Sequence, residues 1–202
     1  DSVEIPAPNF VIHCDNLIPL RRGLGSSAAA IVGGCLAANY LLGEILSIEE
    51  LLVIASEIEG HSDNVAPALM GGIRIVGKNN STLTTAPIPI HNNLKVVLFI
   101  PDRSVDTLES RNSLPSMVPY DDVVFNLSRV AFLVNSLATE RLGDLLLGTQ
   151  DRLHQPHRIP LATPTRLIME EATQAGALGV FLSGSGPTVL ALTRGRAVSY
   201  TH

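Results

Sequence analysis

Residues 19–27 read Pro19-Leu20-Arg21-Arg22-Gly23-Leu24-Gly25-Ser26-Ser27, and the apolar run Ala28-Ala29-Ala30-Ile31-Val32 follows at once. Gly23 and Gly25 let the backbone take conformations that a side chain forbids. The serines then begin a helix, which presents free N–H groups and the positive end of its dipole to the loop before it. This stretch therefore predicts a loop and helix N-terminus that bind a phosphate group.

A second interpretation of the same residues needs no ligand. Glycine followed by serine also caps ordinary helices, so a single glycine-serine loop is a weak signal. The stretch has neither the lysine of a Walker loop nor the spacing of the G-x-G-x-x-G dinucleotide fingerprint. Taken alone, these residues leave phosphate binding and plain helix capping open.

Composition narrows the class of protein. The 202 residues, 46% of them hydrophobic, can bury the core of one large domain or two small ones. A formal net charge of -5 gives no basic footprint, so nucleic acid is not an expected partner. Cys14 and Cys35 are isolated in sequence, which predicts buried free thiols in a reducing compartment such as the cytoplasm. The apolar helix predicted over Ala28–Leu42 falls short of the roughly 20 residues that span a bilayer, so no membrane segment is expected.

Apolar periodicity predicts strands and helices that are interleaved along the chain. Strands are expected over Phe10–Cys14, 71–76, Lys95–Ile100, Val180–Leu182 and Thr188–Leu192. Helices are expected over Ala28–Leu42, from a capping box at Ser47 to Gly60, over Val123–Leu142, and from Pro164, capped by Thr163, to Gly176. Residues 77–93, rich in Asn, Thr, Ser and Pro, predict a boundary between two domains, 1–85 and 86–202. This order favours a two-domain α+β architecture.

Two further stretches carry polar residues of chemical interest. Glu57-Ile58-Glu59-Gly60-His61-Ser62-Asp63-Asn64 places four titratable groups at the end of a helix and in the turn after it. Ser183-Gly184-Ser185-Gly186-Pro187-Thr188 joins the last two predicted strands. The first stretch is equally compatible with solvated helix charges and a plain turn, and the second with a glycine-rich hairpin that binds nothing.

Together, the three stretches resemble the motifs of the GHMP small-molecule kinases, in the order in which that family carries them. The resemblance implies an N-terminal α/β domain with a left-handed-crossover sheet and a C-terminal ferredoxin-like α+β sandwich. It also implies ATP and Mg²⁺, with Ser27 and Glu57 as the magnesium ligands, since Mg²⁺ prefers a few hard oxygen ligands and several waters. The ATP-binding residues that it implies are Pro19, Arg21, Arg22, Gly23, Leu24, Gly25, Ser26, Ser27 and Ala28.

The acceptor is suggested by Glu-Gly-His-x-Asp-Asn-x-x-Pro, which begins at Glu59, and by Gln155-Pro156-His157-Arg158. These look most like the branch of the family that phosphorylates the side-chain hydroxyl of L-homoserine. Arg111 and Arg158 match its carboxylate-binding arginines, and arginine pairs best with a carboxylate. The remaining implied acceptor-site residues are His61, Asp63, Asn64, Thr107, Gly184 and Gly186, with Glu57, Asp63 and Asn64 as catalytic residues.

Alternatives to this function follow from the same residues. Arg111 and Arg158 can be surface charges, in which case a mevalonate-like or sugar acceptor is favoured; a silent GHMP-like module is a third possibility. Phosphoryl transfer rests mainly on positioning and charge neutralisation, so a general base is not obligatory. Asp63 is the natural candidate for a base, and we favour direct transfer because the cluster holds no second candidate.

The chain departs from the family at both ends. The family's first motif, Pro-x-x-x-Asn-x-Gly-x-Gly-Phe-Asp, has no counterpart before Asp1, and its last strand and helix have none after Thr193. The resemblance covers residues 9–193, which predicts a fragment with an uncovered sheet edge, low stability and uncertain activity. A homodimer is expected from the family alone.

Overall fold

The structure is a computed structural model that describes residues 11–80, 82–90, 92–102, 104–162 and 164–195. In its N-terminal half, three helices pack together and are followed by an antiparallel hairpin. These elements are α1 (Ser26–Leu41), α2 (Ile48–Glu59), α3 (Val65–Met70), β1 (Ile73–Asn79) and β2 (Thr82–Ile88). None of the helices in the described part of the chain is long and apolar enough to cross a bilayer.

The starts and ends of α1 and α2 follow from local sequence. α1 begins at Ser26 because Gly25 takes a left-handed conformation with φ of 73°. α2 begins with the predicted capping box, in which the Ser47 hydroxyl accepts from the Glu50 N–H and the Glu50 carboxylate accepts from the Ser47 N–H. It ends where Gly60 turns left-handed, with φ of 85°. The loops on either side of the two helices are therefore fixed by glycine and by capping.

A small apolar core holds these helices together. Its buried members lie on one face of each helix and are Ala28, Val32, Leu52, Ala55, Val65 and Ala66. Only this face of α1 is covered, and Tyr40 and Leu41 on its other side are 72% and 65% exposed. The position of the α1 N-terminus therefore depends on packing against α2 and α3.

Leu52→Ala is expected to lower the free energy of unfolding by about 2–5 kcal/mol, because Leu52 is 2% exposed and its loss leaves a cavity. Ile58→Ala on the same helix is the matched control, since Ile58 is 62% exposed. Urea unfolding curves of the two variants measure the difference. Equal losses in the two would contradict the packing described for α2.

The C-terminal half is a three-stranded antiparallel sheet with helices packed against it. Its strands, β3 (Leu94–Phe99), β4 (Gly179–Leu182) and β5 (Val189–Arg194), lie in the order β3-β5-β4, with Val189 opposite both Phe99 and Leu182. Its helices are α4 (Thr107–Asn112), α5 (Tyr120–Ala138), α6 (Leu145–Gly148), α7 (Gln155–Arg158) and α8 (Thr165–Gln174), with 3₁₀ turns at Leu142–Asp144 and Ile159–Leu161.

The strand predicted over residues 71–76 is β1, and β2 lies in the segment predicted as a domain boundary. β2 runs unbroken through residues 85 and 86, where the sequence was divided into two domains. β1 packs on α3, and β2 packs on both α2 and α5, so the hairpin contacts both halves of the molecule. Within the described residues, strand pairing in the N-terminal half is limited to this hairpin, so the left-handed-crossover sheet stays a prediction, as does the exact division into domains.

Three other expectations differ from the structure. The strand predicted over Phe10–Cys14 is not formed by residues 11–14, and Val11 is 97% exposed; Phe10 lies outside the described residues. The helix predicted over Val123–Leu142 is α5, which begins earlier and ends earlier. The cap predicted at Thr163 lies outside the described residues, and Pro164 is the N-cap of α8 rather than its first residue.

The two cysteines are free, as expected, but neither is buried. Cys14 is exposed, because the segment around it packs in no strand, and Cys35 is half-buried on α1. Burial raises the pKa of the Cys35 thiol.

Candidate active site

A cavity of about 870 Å³ lies between the N-terminus of α1 and the turn that joins β4 to β5. The three stretches singled out in the sequence meet at this cavity, together with residues of α4 and α7. Its lining includes residues 19–27, Glu59, Gly60, His61, Asp63, Asn64, Arg111, His154, Arg158, Gly184 and Ser185. Residues that run from Pro19 to Ser185 in the sequence therefore meet in one pocket of the fold.

The N-terminus of α1 is open toward this cavity. No side chain caps its first N–H groups, and its first turn holds no acidic residue. Ser26 is held from outside the helix, because its hydroxyl accepts a hydrogen bond of 3.0 Å from the Asn16 amide. An anion in the cavity would meet free N–H groups and the positive end of a 16-residue helix. The arrangement supports phosphate binding over plain helix capping.

The turn 183–188 packs directly on the glycine-rich loop. Gly23, with φ of 74°, lies so close that a Cβ there would stand 2.1 Å from the Ser183 carbonyl oxygen and 2.9 Å from that of Gly186. The Ser183 hydroxyl donates to the Gly23 carbonyl at 2.8 Å, and the Thr188 N–H donates to the Arg22 carbonyl at 3.4 Å. The turn is therefore the opposing wall of the cavity rather than a free hairpin.

The carboxylate that meets Ser27 belongs to Glu59 and not to Glu57. The Ser27 hydroxyl donates to Glu59 Oε2 at 2.7 Å, and the Glu59 side chain is only 11% exposed. Glu57 is exposed and does not line the cavity. Two residues advance an α-helix by about 200°, so the two glutamates point to opposite sides of α2. The structure thus places Glu59, and not Glu57, beside Ser27 in the cavity, and the magnesium-binding and catalytic roles drawn from the sequence stay predictions.

His61, Asp63 and Asn64 continue the wall from Glu59. His61 Nε2 lies 3.7 Å from Glu59 Oε1, and its Nδ1 lies 2.5 Å from Asp63 Oδ1. The same Asp63 oxygen accepts a hydrogen bond of 2.7 Å from the Asn64 N–H. The Asp63 side chain is 78% exposed toward the cavity and solvent. These three predicted residues are thus brought together beside Ser27.

Arg111 and Arg158 form the wall on the side of the C-terminal half. Burial lowers the pKa of the Arg158 guanidinium, Asp151 and Asp63 oppose that shift, and the positive charge of Arg111 adds to it. Both arginines line the same cavity. Arg158 also donates to the Gly184 carbonyl at 3.4 Å. Two guanidinium groups that line one cavity are suited to bind an anionic group.

The other predicted residues fall into two groups. Pro19, Arg21, Leu24 and Gly184 line the cavity. Arg22 lines it but donates its guanidinium to the Leu20 and Asp102 carbonyls, Ala28 is buried in the core, and Gly186 lies against Gly23. Thr107 begins α4, and because its side chain lies outside the described residues, its role stays a prediction.

His154 lines the cavity and was not foreseen as a site residue. It directly precedes the quoted Gln155-Pro156-His157-Arg158 stretch, which was the available signal. Its Nδ1 lies 3.4 Å from the Arg158 guanidinium, so the neutral ring can accept from Arg158. Burial lowers the pKa of His154 below its ordinary 6.5, the Asp151 carboxylate opposes this, and Arg158 adds to it.

The lowered pKa of His154 predicts a pH dependence of stability. The unfolded chain binds the proton at a higher pH than the folded one, so stability falls as the pH drops below 6.5 toward the folded pKa. Urea unfolding at about pH 7 and about pH 5.5 should therefore show a larger loss for the natural chain than for His154→Gln. An equal loss in both would contradict this description of His154.

Two family models match this chain, one in each half of the molecule. The model of the GHMP kinases N terminal domain matches residues 2–72, and that of the GHMP kinases C terminal matches residues 133–199. The chain belongs to the GHMP kinase family, which confirms the resemblance and the two-domain α+β fold class drawn from the sequence.

Several relatives that match most of this chain are homoserine kinases. The homoserine kinase of Carboxydothermus hydrogenoformans is 46% identical over 198 residues, which are 96% of this chain and 65% of the relative. That of Gloeobacter violaceus is 48% identical, over 87% of this chain and 58% of the relative. The crystal structure of homoserine kinase from Cytophaga hutchinsonii superposes with a TM-score of 0.83 at 33% identity, over 90% of this chain and 59% of that one. The chain thus spans about three fifths of the length of the relatives it matches.

Proposed function

We propose that the protein of which this chain is part transfers the γ-phosphate of ATP to the side-chain hydroxyl of L-homoserine. One observation carries the proposal: Arg111 and Arg158 face the uncapped N-terminus of α1 across a single cavity. One wall suits the phosphates of a nucleotide, and the other suits the carboxylate of an amino acid. The relatives named homoserine kinase support the same acceptor.

The nucleotide side of the site consists of residues 19–27 and Glu59. The free N–H groups of α1 would hold phosphate oxygens, and Ser27 with Glu59 would hold Mg²⁺. Their oxygens fit that ion, because Mg²⁺ takes one or two protein oxygens together with phosphates and waters. When bound, Mg²⁺ neutralises charge on the phosphates.

The acceptor side consists of the two arginines with His61, Asp63 and Asn64. The guanidinium groups would pair with the α-carboxylate, which leaves the hydroxyl end of the substrate directed toward Asp63, Asn64 and the phosphate loop. Asp63 Oδ1 already accepts from the Asn64 N–H and contacts His61. We therefore propose direct transfer, in which Asp63 and Asn64 orient the hydroxyl and no side chain must remove its proton.

Asp63→Asn is expected to keep turnover within about tenfold of the natural enzyme, because positioning by a hydrogen-bonding side chain is retained. The measurement is kcat in a coupled ADP-release assay, with Asn64→Asp as the companion variant. A loss of about 10⁴-fold in Asp63→Asn would instead assign Asp63 as the general base.

The proposed acceptor is tested by homoserine-dependent ADP release. L-Homoserine, mevalonate and galactose are offered in parallel, both to this chain and to a version extended at both ends by the corresponding segments of the Carboxydothermus relative. We expect release with L-homoserine alone. Release with mevalonate or galactose would favour the alternative acceptors, and nucleotide binding without any turnover in the extended version would favour a silent module.

The cellular setting completes the proposal. Two free thiols, one of them exposed, suit the reducing cytoplasm. A homodimer and the lack of nucleic-acid binding stay predictions from the family and from the net charge. Sedimentation of the extended version would measure the first.

A further inference from the structure

The buried side chain of Gln155 connects α7 to the end of β4. Its Oε1 accepts a hydrogen bond of 2.9 Å from the Leu182 N–H, and its Nε2 donates to the Thr149 carbonyl at 3.3 Å. Gln155 is 5% exposed and Leu182 is 4% exposed, so water cannot replace either partner. Both polar ends of one carboxamide are therefore used between two backbone segments.

This connection pairs a backbone N–H of an edge strand. β4 is an edge strand, and within the described residues β5 is its one pairing partner. The Leu182 N–H would remain buried and unpaired without Gln155, which is costly for a backbone group. Leu182 is also the last residue before the turn 183–188, so the side chain of Gln155 fixes the point where that turn begins.

α7 needs this support because it has only four residues. The Asp151 carboxylate secures its start by accepting from the N–H groups of His154 and Gln155 at 2.9 and 2.7 Å, and from the Asn126 amide at 2.6 Å. Burial alone would raise the pKa of Asp151, but these hydrogen bonds outweigh it and lower the pKa. The Asp151 carboxylate thus stays charged and holds α7 against α5 in the C-terminal half.

Arg158 ends the same helix, three residues after Gln155. Gln155 points into the protein, whereas Arg158 lines the cavity and reaches the Gly184 carbonyl in the turn. The helix and the turn are therefore joined twice, once at the buried Leu182 N–H and once at the cavity. Because α7 is so short, a shift at its buried end would move Arg158 as well.

We infer that Gln155 is a positioning residue that sets Arg158 and the turn 183–188 in place for the acceptor. The inference rests on the proposed function, since it concerns the same acceptor site, but it adds a residue that touches neither substrate.

Three variants test the role of Gln155. Gln155→Met keeps the length of the side chain and removes both hydrogen bonds. Gln155→Glu keeps the oxygen that accepts from Leu182. Gln174→Met, at the exposed end of α8, is the matched control.

The first test is amide hydrogen exchange in this chain without substrate. We expect exchange of the amides in residues 182–186 to rise about tenfold or more in Gln155→Met, the effect of losing one buried hydrogen bond. The amides of α1, and all amides of Gln174→Met, should exchange at the natural rate, and Gln155→Glu should recover part of the protection. Unchanged exchange at residues 182–186, or an equal rise throughout the chain, would overturn the inference.

The second test separates positioning from a merely structural role. In the active extended version, the KM for L-homoserine should rise about tenfold in Gln155→Met, with kcat and the KM for ATP within about threefold. A fall in kcat alone, or an unchanged KM for L-homoserine, would overturn the link to Arg158. Failure of the natural enzyme to use L-homoserine would contradict the proposed function, whereas the exchange experiment judges the role of Gln155 without any substrate.

Discussion

Glu59→Gln is expected to lower kcat by about 10²–10³-fold, the usual cost of losing one preorganised electrostatic contact in a transfer site. Glu59 accepts from the Ser27 hydroxyl at 2.7 Å and is nearly buried, so the amide removes the charge exactly where the phosphates of the nucleotide are proposed to lie. The measurement is steady-state ADP release in the extended version of the chain at saturating L-homoserine.

Glu57→Gln is the matched control for that prediction, because it makes the same chemical change two residues earlier on the same helix. Glu57 is exposed and lines no part of the cavity, so kcat should remain within about twofold of the natural value. The opposite pattern, with Glu57→Gln inactive and Glu59→Gln active, would restore the assignment made from sequence and contradict the geometry described for α2.

Gly23→Ala is expected to disrupt both stability and nucleotide binding. The added Cβ would lie 2.1 Å from the Ser183 carbonyl oxygen, and alanine would be strained at a φ of 74°. Because the obstructing atoms are backbone, neither segment can move aside without separating the loop from the turn. Left-handed strain and overpacking together predict a loss of about 2–5 kcal/mol in the free energy of unfolding. Urea unfolding and the affinity for a fluorescent ATP analogue measure the two effects.

Gly33→Ala provides the comparison for Gly23. Gly33 lies within α1, and a Cβ there would meet nothing within 4 Å. Alanine should therefore stabilise the helix by about 0.5–1 kcal/mol and leave nucleotide binding unchanged. Equal behaviour of the two variants would show that the loop and the turn do not pack as closely as described.

The resemblance gave Glu57 as the glutamate beside Ser27, but the structure places Glu59 there. The buried face of α2 decides this position, because it passes through Leu52 and Ala55 and leaves Ile58 exposed. Four residues beyond Ala55 on that face lies Glu59, which is why it, and not Glu57, reaches the cavity. The Leu51-Leu52-x-x-Ala55 pattern carries this phase in the sequence, whereas the choice of Glu57 rested on the resemblance to the family and not on the helix face.

The second strand of the hairpin, β2, was missed for a different reason. Thr82, Thr84 and Thr85 are β-formers, but their polarity and the neighbouring prolines suggested a linker. A strand of this kind is half exposed and gains stability by packing on α2 and α5, a contact between distant parts of the chain that local sequence does not reveal. The loops of the site were easier to predict, because glycine geometry and helix capping act locally.

The central claim is that one cavity joins a nucleotide phosphate site to a carboxylate site. The most direct measurement is the ratio of kcat/KM for L-homoserine to that for 3-amino-1-propanol, which keeps the hydroxyl and the amine but lacks the carboxylate. We predict a ratio of about 10³ or more in the extended version. A site built to pair with a carboxylate discriminates strongly against a substrate that lacks this group, because the partner groups of the site are then left unpaired. We further predict that Arg158→Met lowers this ratio toward one. A ratio near one in the natural enzyme would contradict the claim.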